Sequence, residues 1–105
     1  METSPQYIYI VHATRPEMLT AGPTPEEQEI LGQHFMYLKD LAEKGPVLLV
    51  GRTQTTDEST FGLCIFEAAS EEEARALMNG DPAVARGVMT AQLFPYQIAI
   101  KGERL

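Results

Sequence analysis

His34 stands inside the stretch ILGQHFMYLKDL, residues 30–41, and a histidine in an apolar setting raises the question of acid–base chemistry near neutral pH. At about 100° per residue, the apolar residues of this stretch form one stripe of a helix, and His34 falls near its middle. The stripe consists of Ile30, Leu31, Leu38 and Leu41. A buried imidazole needs hydrogen-bond partners. On its own, this position favours a hydrogen-bonded core histidine over a catalytic one.

Asp81, in NGDPAVARG, is the acidic residue expected to pair with His34. In the fold predicted below, both long helices cover the same sheet face, so the loop after the second can approach the first. A carboxylate beside an imidazole fixes its tautomer and stabilises its protonated form. Such a pair is a general base for taking a proton from a phenol or from a carbon next to a carbonyl, as elimination and isomerisation require. The alternative is that Asp81 only caps the PAVA turn.

Four further residues are candidates for contacting a substrate. Arg52, at the end of the second predicted strand, could bind a carboxylate or a developing oxyanion, although a solvated edge charge explains it equally well. Arg15 and His12, at the end of the first strand, could line the same opening, but ordinary surface or core positions are the commoner explanation. Tyr37 follows His34 by three residues, so it either touches the pocket or packs.

Other chemistries find little support in the sequence. Cys64 is the single cysteine, so no intrachain disulfide can form, and its place in an apolar strand predicts a core residue. The Cys and His spacings of metal sites are absent, as are the glycine patterns of phosphate and dinucleotide loops. We therefore expect no metal, nucleotide or flavin cofactor. The acidic run 71–73 is interpreted as a helix start that the helix dipole favours.

The bulk properties bound the class of protein. A length of 105 residues predicts one domain, with a core from about residue 6 to residue 101. The formal net charge of −7, from 15 acidic and 8 basic residues, argues against nucleic acid and anionic membranes as partners. The sequence has no basic, apolar signal segment and no apolar run of about 18 residues. A cytoplasmic location is the expectation.

Two helices and four strands are predicted. Alternating or apolar runs indicate strands at residues 6–13, 47–54, 61–69 and 90–100, and residues 14–23 are expected to form a loop. A capping box of Thr24 and Glu27 starts the first helix, which runs to about Lys44 before Gly45. Ser70 starts the second helix. The order βαββαβ predicts an α+β, ferredoxin-like sandwich: a four-stranded antiparallel sheet with two helices on one face.

The strands also predict self-association. Three of them carry apolar residues on both faces, whereas a solvated sheet face alternates with polar residues. The chain has no spare element to cover the second face, so a second copy is the simplest cover. We expect a homodimer, and the sequence leaves open a larger ring of such dimers.

The segments QHFMYLKDLAEKG…LLVGRT and FEAASEEEARALMNGDPAVARGV resemble the YciI-like proteins, the YCII-related domain family, over nearly the whole chain. The resemblance implies a ferredoxin-like fold that forms dimeric α/β barrels, related in fold to muconolactone isomerases and small monooxygenases. It also implies a His–Asp pair in one pocket, which maps onto His34 and Asp81. A few members are enzymes, such as a dehydrochlorinase of chlorinated hydroxyquinols.

The chain departs from this family pattern at two positions. Leu31 stands where many members have an arginine, and Arg52 stands where many have a proline. We interpret the gained arginine as a possible replacement for the lost one, binding the same anionic group from another side. The departure weakens any direct transfer of a substrate.

Three functions are consistent with these observations. The first is a cofactor-free lyase or isomerase that acts on a small aromatic or anionic metabolite through His34 and Asp81. The second is a non-catalytic ligand-binding or accessory dimer. The third is a structural dimer in which the two residues only satisfy each other.

Overall fold

The computed structural model describes residues 4–105. Its elements are, in chain order, β1 (Gln6–Ala13), α1 (Glu17–Thr20), α2 (Pro25–Lys44), β2 (Val47–Arg52), β3 (Gly62–Glu67), α3 (Glu71–Gly80), α4 (Pro82–Ala85) and β4 (Met89–Tyr96). The fold is α+β, with a four-stranded antiparallel sheet and helices, as predicted. None of the helices in the described part of the chain is long and apolar enough to cross a membrane.

The sheet has the strand order β2-β3-β1-β4, with antiparallel neighbours throughout. This is the order that a ferredoxin-like βαββαβ chain requires, because each helix carries the chain over to a strand that is not its neighbour. Pro95 lies in β4, at the edge of the sheet, opposite Tyr7. An edge strand tolerates a proline since one of its sides has no partner to receive an N–H.

Several predicted boundaries were wrong. The predicted last strand, 90–100, ends at Tyr96, because β4 pairs only with β1 and its final pair is Gln6 with Tyr96. The strands β2 and β3 are also shorter than predicted. The loop predicted at residues 14–23 contains the four-residue helix α1. A helix of a single turn is too short to show a periodic pattern of apolar residues, so the sequence does not predict it.

The start and end of α2 follow the predicted signals. Thr24 accepts from the backbone N–H of Glu27, and the Glu27 carboxylate accepts from the backbone N–H of Thr24. Gly45 closes the helix at φ +116°, a left-handed conformation that costs glycine little, and its N–H bonds to the carbonyl of Leu41. These ends define the helical segment that contains His34, and the packing of Ile30 and Leu38 in the core determines which side of α2 faces the sheet.

The core consists of two clusters of buried residues on the helix side of the sheet. The larger joins the strands to α2 and α3 through Tyr7, Tyr9, Val11, Leu38, Val47, Cys64, Phe66, Ala74 and Met78. The smaller joins α1, α2 and α4 through Met18, Ile30, Ala83 and Val88. On α2, His34 lies between Ile30 and Leu38, which belong to different clusters. Asp81 likewise lies between Met78 and Ala83. Both residues therefore stand at the junction of the clusters.

Glu27 has a second partner besides the helix cap. Its carboxylate accepts from Arg15 Nη2 at 2.6 Å and from Arg15 Nε at 3.0 Å. The bonds from Arg15, followed by the backbone N–H of Thr24, lower the pKa of Glu27 to about 2. A carboxyl with a lowered pKa in the folded state stabilises the fold above its ordinary pKa, and this contribution is lost as the pH falls.

We therefore expect the free energy of unfolding to be lower in Glu27→Gln than in the wild type at pH 7, by a difference that shrinks between about pH 4.5 and pH 2. Urea unfolding at a series of pH values measures this difference. Glu26→Gln is the matched control, since Glu26 is exposed in the same helical turn. A Glu27 difference that is independent of pH would contradict the assignment.

Candidate functional site

His34 and Asp81 are in direct contact. His34 Nδ1 lies 2.7 Å from Asp81 Oδ1 and 2.8 Å from Oδ2. The Asp81 side chain is fully buried, whereas 18% of the His34 side chain is exposed. The predicted contact between these residues, 47 positions apart, is thus present, with the acid inside and the imidazole at the surface.

The Asp81 carboxylate has two further donors. The backbone N–H of Ala83 donates to Oδ1 at 3.0 Å, and the hydroxyl of Tyr9 donates to Oδ2 at 2.7 Å. The first of these bonds is the N-cap of α4. The two interpretations of Asp81, helix cap and partner of His34, are therefore both fulfilled by one side chain. Each carboxylate oxygen receives one bond from a fixed group and shares the imidazole.

This arrangement assigns the histidine tautomer. An ionised carboxylate only accepts hydrogen bonds, so Nδ1 carries the proton that points at Asp81. Nε2 has no hydrogen-bond partner among residues 4–105. Within the same residues, every buried side-chain nitrogen or oxygen has a partner, so Nε2 is open to solvent. A neutral imidazole with a buried Nδ1–H and an open Nε2 can take a proton from a bound molecule.

Tyr37 fixes the position of the Asp81 loop. Its hydroxyl donates to the carbonyl of Leu77, in the last turns of α3, at 2.8 Å. A Cβ atom on Gly80 would lie only 2.8 Å from this hydroxyl oxygen. The absence of a side chain at Gly80 therefore lets α2 approach the end of α3, directly before Asp81. Through this bond Tyr37 supports the site from one side.

The other titratable groups around Asp81 are held in their protonated forms. Burial, together with Cys64 and the Asp81 charge, raises the pKa of Tyr9 far above the usual range of a phenol. Burial first and the Asp81 charge second raise the pKa of the Cys64 thiol to about 12. The same two causes raise the pKa of Tyr37. Cys64 is thus a core thiol, because its thiolate does not form near neutral pH.

The remaining predicted site residues lie in different places. Arg52 pairs in register with Gly62, and Gly62 with Val11, so Arg52 lies on the same sheet face as Tyr9. Its exposed guanidinium donates to the carbonyl of Thr53 at 3.1 Å. His12 has the opposite parity on β1 and faces away from Asp81.

Arg15 is held by Glu27, as described above, and lies near the start of α2. A cavity of about 220 Å³ is lined by His12, Ala13, Pro16, Leu19, Glu58 and Thr60. Neither this cavity nor an open groove beside Pro5 and Pro46 includes His34 or Asp81. Within residues 4–105, no three His, Cys, Asp or Glu side chains are grouped so that they could hold a metal ion.

Sequence reasoning missed Tyr9, which it treated only as an apolar strand residue. Tyr9 is separated from Asp81 by 72 positions, and no local pattern connects the two. One signal was available, because a buried tyrosine hydroxyl needs a hydrogen-bond partner. A buried aspartate likewise needs hydrogen-bond donors, and the two requirements together suggest the contact between Tyr9 and Asp81.

Comparisons with known proteins were made on sequence and on structure. The sequence profile of the YCII-related domain family matches residues 7–95. The structure of 5-chloro-2-hydroxyhydroquinone dehydrochlorinase (TftG) from Burkholderia phenoliruptrix AC1100, in complex with 2,5-dihydroxybenzoquinone, is similar with a TM-score of 0.61 and 21% identity. The match covers 87% of this chain and 93% of that one, and at this identity it shows a common fold. No curated protein sequence is a significant match.

The close approach at Gly80 leads to a stability prediction. Gly80→Ala places a methyl group against the Tyr37 hydroxyl, so we expect it to break the bond to Leu77 and lower the free energy of unfolding by about 1–3 kcal/mol. Gly32→Ala is the control, because Gly32 lies in α2 with open space around it. That change should raise the free energy of unfolding by about 0.5–1 kcal/mol. Urea unfolding measures both.

The double variant Tyr37→Phe, Gly80→Ala separates the clash from other effects of the alanine. Removing the hydroxyl removes the atom that the new methyl group meets, so the two losses should be less than additive. Strict additivity would mean that the approach of Tyr37 to Gly80 does not limit the residue at position 80.

Proposed function

Because the chain belongs to the YCII-related domain family, we propose that it is a cofactor-free lyase or isomerase in which His34 takes a proton from a small-molecule substrate. The observation that carries the proposal is the contact of His34 Nδ1 with the buried Asp81 carboxylate, which leaves Nε2 open to solvent. A base of this kind begins an elimination or an isomerisation by removing a proton from the substrate.

The geometry suggests how each group acts. Nε2 accepts a proton from a phenol or from a carbon beside a carbonyl, and the resulting imidazolium lies against the Asp81 carboxylate. Because that carboxylate is buried, the attraction between the two charges is stronger than it would be in water. His34 then returns the proton to a second position of the substrate, which is isomerisation, or keeps it while a leaving group departs with its electron pair, which is elimination.

Two exposed side chains and the similar structure support the proposed substrate class. Phe35, beside His34 on α2, is largely exposed and offers an apolar surface. Arg52, exposed on the same sheet face as Tyr9, offers a charge for a carboxylate or a phenolate. The similar structure is a dehydrochlorinase in complex with a dihydroxybenzoquinone. We propose a small aromatic or anionic metabolite as the substrate.

The proposed assembly is a homodimer that pairs the sheet faces turned away from the helices. That face carries Ile8, Leu49, Ile65 and Phe94, as the strand register requires. Leu49, Phe94 and Tyr96 each remain more than 40% exposed. Several large apolar side chains on one strand face of a chain of this size favour coverage by a second copy.

A second candidate function is a ligand-binding or accessory module without turnover. One observation favours it: neither of the two cavities described above is lined by His34 or Asp81. Saturable binding of an aromatic acid without chemical change, lost in His34→Ala, would support this function over the enzyme.

The enzyme proposal predicts that His34→Ala and Asp81→Asn each lower turnover by about 10²-fold or more, the usual contribution of a general base. The assay screens chlorinated hydroxyquinols and small lactones for loss of chloride or for isomerisation. Gln33→Ala is the control, because Gln33 is the exposed neighbour of His34. Circular dichroism checks that the variants fold. Full turnover in a folded His34→Ala variant would refute the role of this residue.

The dimer proposal predicts that Phe94→Lys lowers the dimer fraction in sedimentation velocity, because it places a charge in the apolar face. Phe35→Lys is the matched control, since Phe35 is also an exposed phenylalanine but lies on α2, away from that face. It should leave the dimer intact. A wild-type protein that sediments as a monomer at micromolar concentration, or a Phe94→Lys variant that dimerises normally, would contradict the proposal.

A further inference from the structure

Tyr9 is a third side chain bonded within the His34–Asp81 site. Its hydroxyl, on a side chain only 1% exposed, donates to Asp81 Oδ2 at 2.7 Å. Neither a helix cap nor a general base requires this bond, because Asp81 already accepts hydrogen bonds from the Ala83 backbone and from His34. A tyrosine hydroxyl placed in the core at the one buried carboxylate of residues 4–105 therefore needs its own explanation.

The carboxylate is clamped from both sides. Oδ1 accepts from the backbone of Ala83, and Oδ2 accepts from Tyr9. His34 Nδ1 lies between them, at 2.7 Å and 2.8 Å. Rotation of the carboxylate about its Cβ–Cγ bond would break both outer bonds, so the plane that the imidazole meets is fixed. The outer donors thereby determine where the histidine ring points.

We propose that Tyr9 is a positioning residue that orients the Asp81 carboxylate and lowers the affinity of His34 for a proton. This inference rests on the proposed function, in which His34 is the base. A hydroxyl that donates to a carboxylate draws negative charge toward itself, which leaves less of that charge to stabilise an imidazolium on the other side. Without the hydroxyl, more of the negative charge of the carboxylate is available to stabilise the imidazolium. Tyr9 then keeps the imidazole unprotonated, and so available as a base, at lower pH than Asp81 alone would allow.

Within residues 4–105, Asp81 forms an ion pair with His34 and with no other side chain. β1 contributes Tyr9, β3 contributes Cys64, and α2 contributes Tyr37 besides His34. Their pKa values are all raised, that of Cys64 to about 12, so they stay neutral through the range in which an imidazole titrates. Between Arg75 and Arg86, the segment that forms the end of α3 and all of α4 has no titratable residue other than Asp81.

The test uses diethylpyrocarbonate, which reacts with the unprotonated nitrogen of an imidazole. The rate at which His34 is modified is measured against pH by mass spectrometry of the peptide that contains it, which separates it from His12. The pH of half-maximal rate should rise by about half a unit to one unit in Tyr9→Phe, which means a rate about three to ten times lower on the acid side. Tyr7→Phe is the control: Tyr7 is a buried tyrosine on the same strand face, and it is not among the donors to Asp81.

Two results would overturn the proposal. One is an unchanged pH profile in a folded Tyr9→Phe variant, which would make Tyr9 a packing residue only. The other is a profile displaced to lower pH. Neither depends on turnover, so the proposal about Tyr9 and the proposed enzymatic function can fail separately.

A second measurement serves if Tyr9→Phe does not fold. Biosynthetic replacement of the four tyrosines by 3-fluorotyrosine keeps the hydroxyl and makes it a stronger donor. The proposal then requires a shift of the His34 profile in the opposite direction, to lower pH. The same shift should persist in fluorinated Tyr7→Phe, and an upward shift or no shift would count against Tyr9.

Discussion

The burial of the Asp81 carboxylate is the constraint on which this structure depends. A charge with no exposure to water costs several kcal/mol unless hydrogen bonds replace its hydration. Here the replacements come from three elements of the chain: the Tyr9 hydroxyl on β1, the His34 imidazole on α2 and the Ala83 amide at the start of α4. The strand, the long helix and the short helix must therefore meet at one point, and a displacement of any of them would leave a buried oxygen without a donor. Two apolar clusters, one on each side, hold this meeting point in place.

The same constraint explains why α3 and α4 are separate helices. Asp81 ends one and caps the other with an extended backbone at φ −63° and ψ 121°. This extended backbone lets the Asp81 side chain point into the core. In a continuous helix, the backbone at this position would be helical and the side chain would point in another direction. Gly80, immediately before it, leaves room for Tyr37, whose bond to Leu77 ties α2 to the end of α3. The short segment from Leu77 to Ala83 thus combines a helix end, a helix start and the buried charge, all oriented toward α2.

Local chemistry made some features predictable from the sequence, and the rest depended on distant pairings. The capping box at Thr24, the glycine after α2 and the edge position of Pro95 each follow from the residue itself and its neighbours. The contact of His34 with Asp81 was predicted because a buried imidazole needs a partner and the predicted topology brings the Asp81 loop toward the first helix. The family resemblance pointed to the same pair. Because residues alternate between the two faces of a strand, the sequence already placed His12 and Tyr9 on opposite faces of β1. Which face the helices cover is decided by packing.

The second role of Glu27, as the partner of Arg15, was not predicted because its place in the helix cap already accounted for it. The strand predicted beyond Tyr96 failed because QIAI has strand-like residues but β1 has no residue left to pair with them.

Asp81 and Tyr9 are buried, whereas the imidazole of His34 is partly exposed to solvent. Asp81 and Tyr9 are buried and bonded, so they lose little freedom when a ligand arrives, and the imidazole they orient meets solvent through Nε2. If His34 is the base, as proposed, these contacts fix its orientation but do not determine the substrate on which it acts. Under the proposed function, selectivity would depend on exposed groups such as Phe35, beside His34 on α2, and Arg52, on the same sheet face as Tyr9. Position 52 lies at the end of an edge strand, where a side chain can change without disturbing the core. Under the proposed function, the buried pair is costly to alter whereas the exposed residues are not, so one fold could keep its base while the substrate changes.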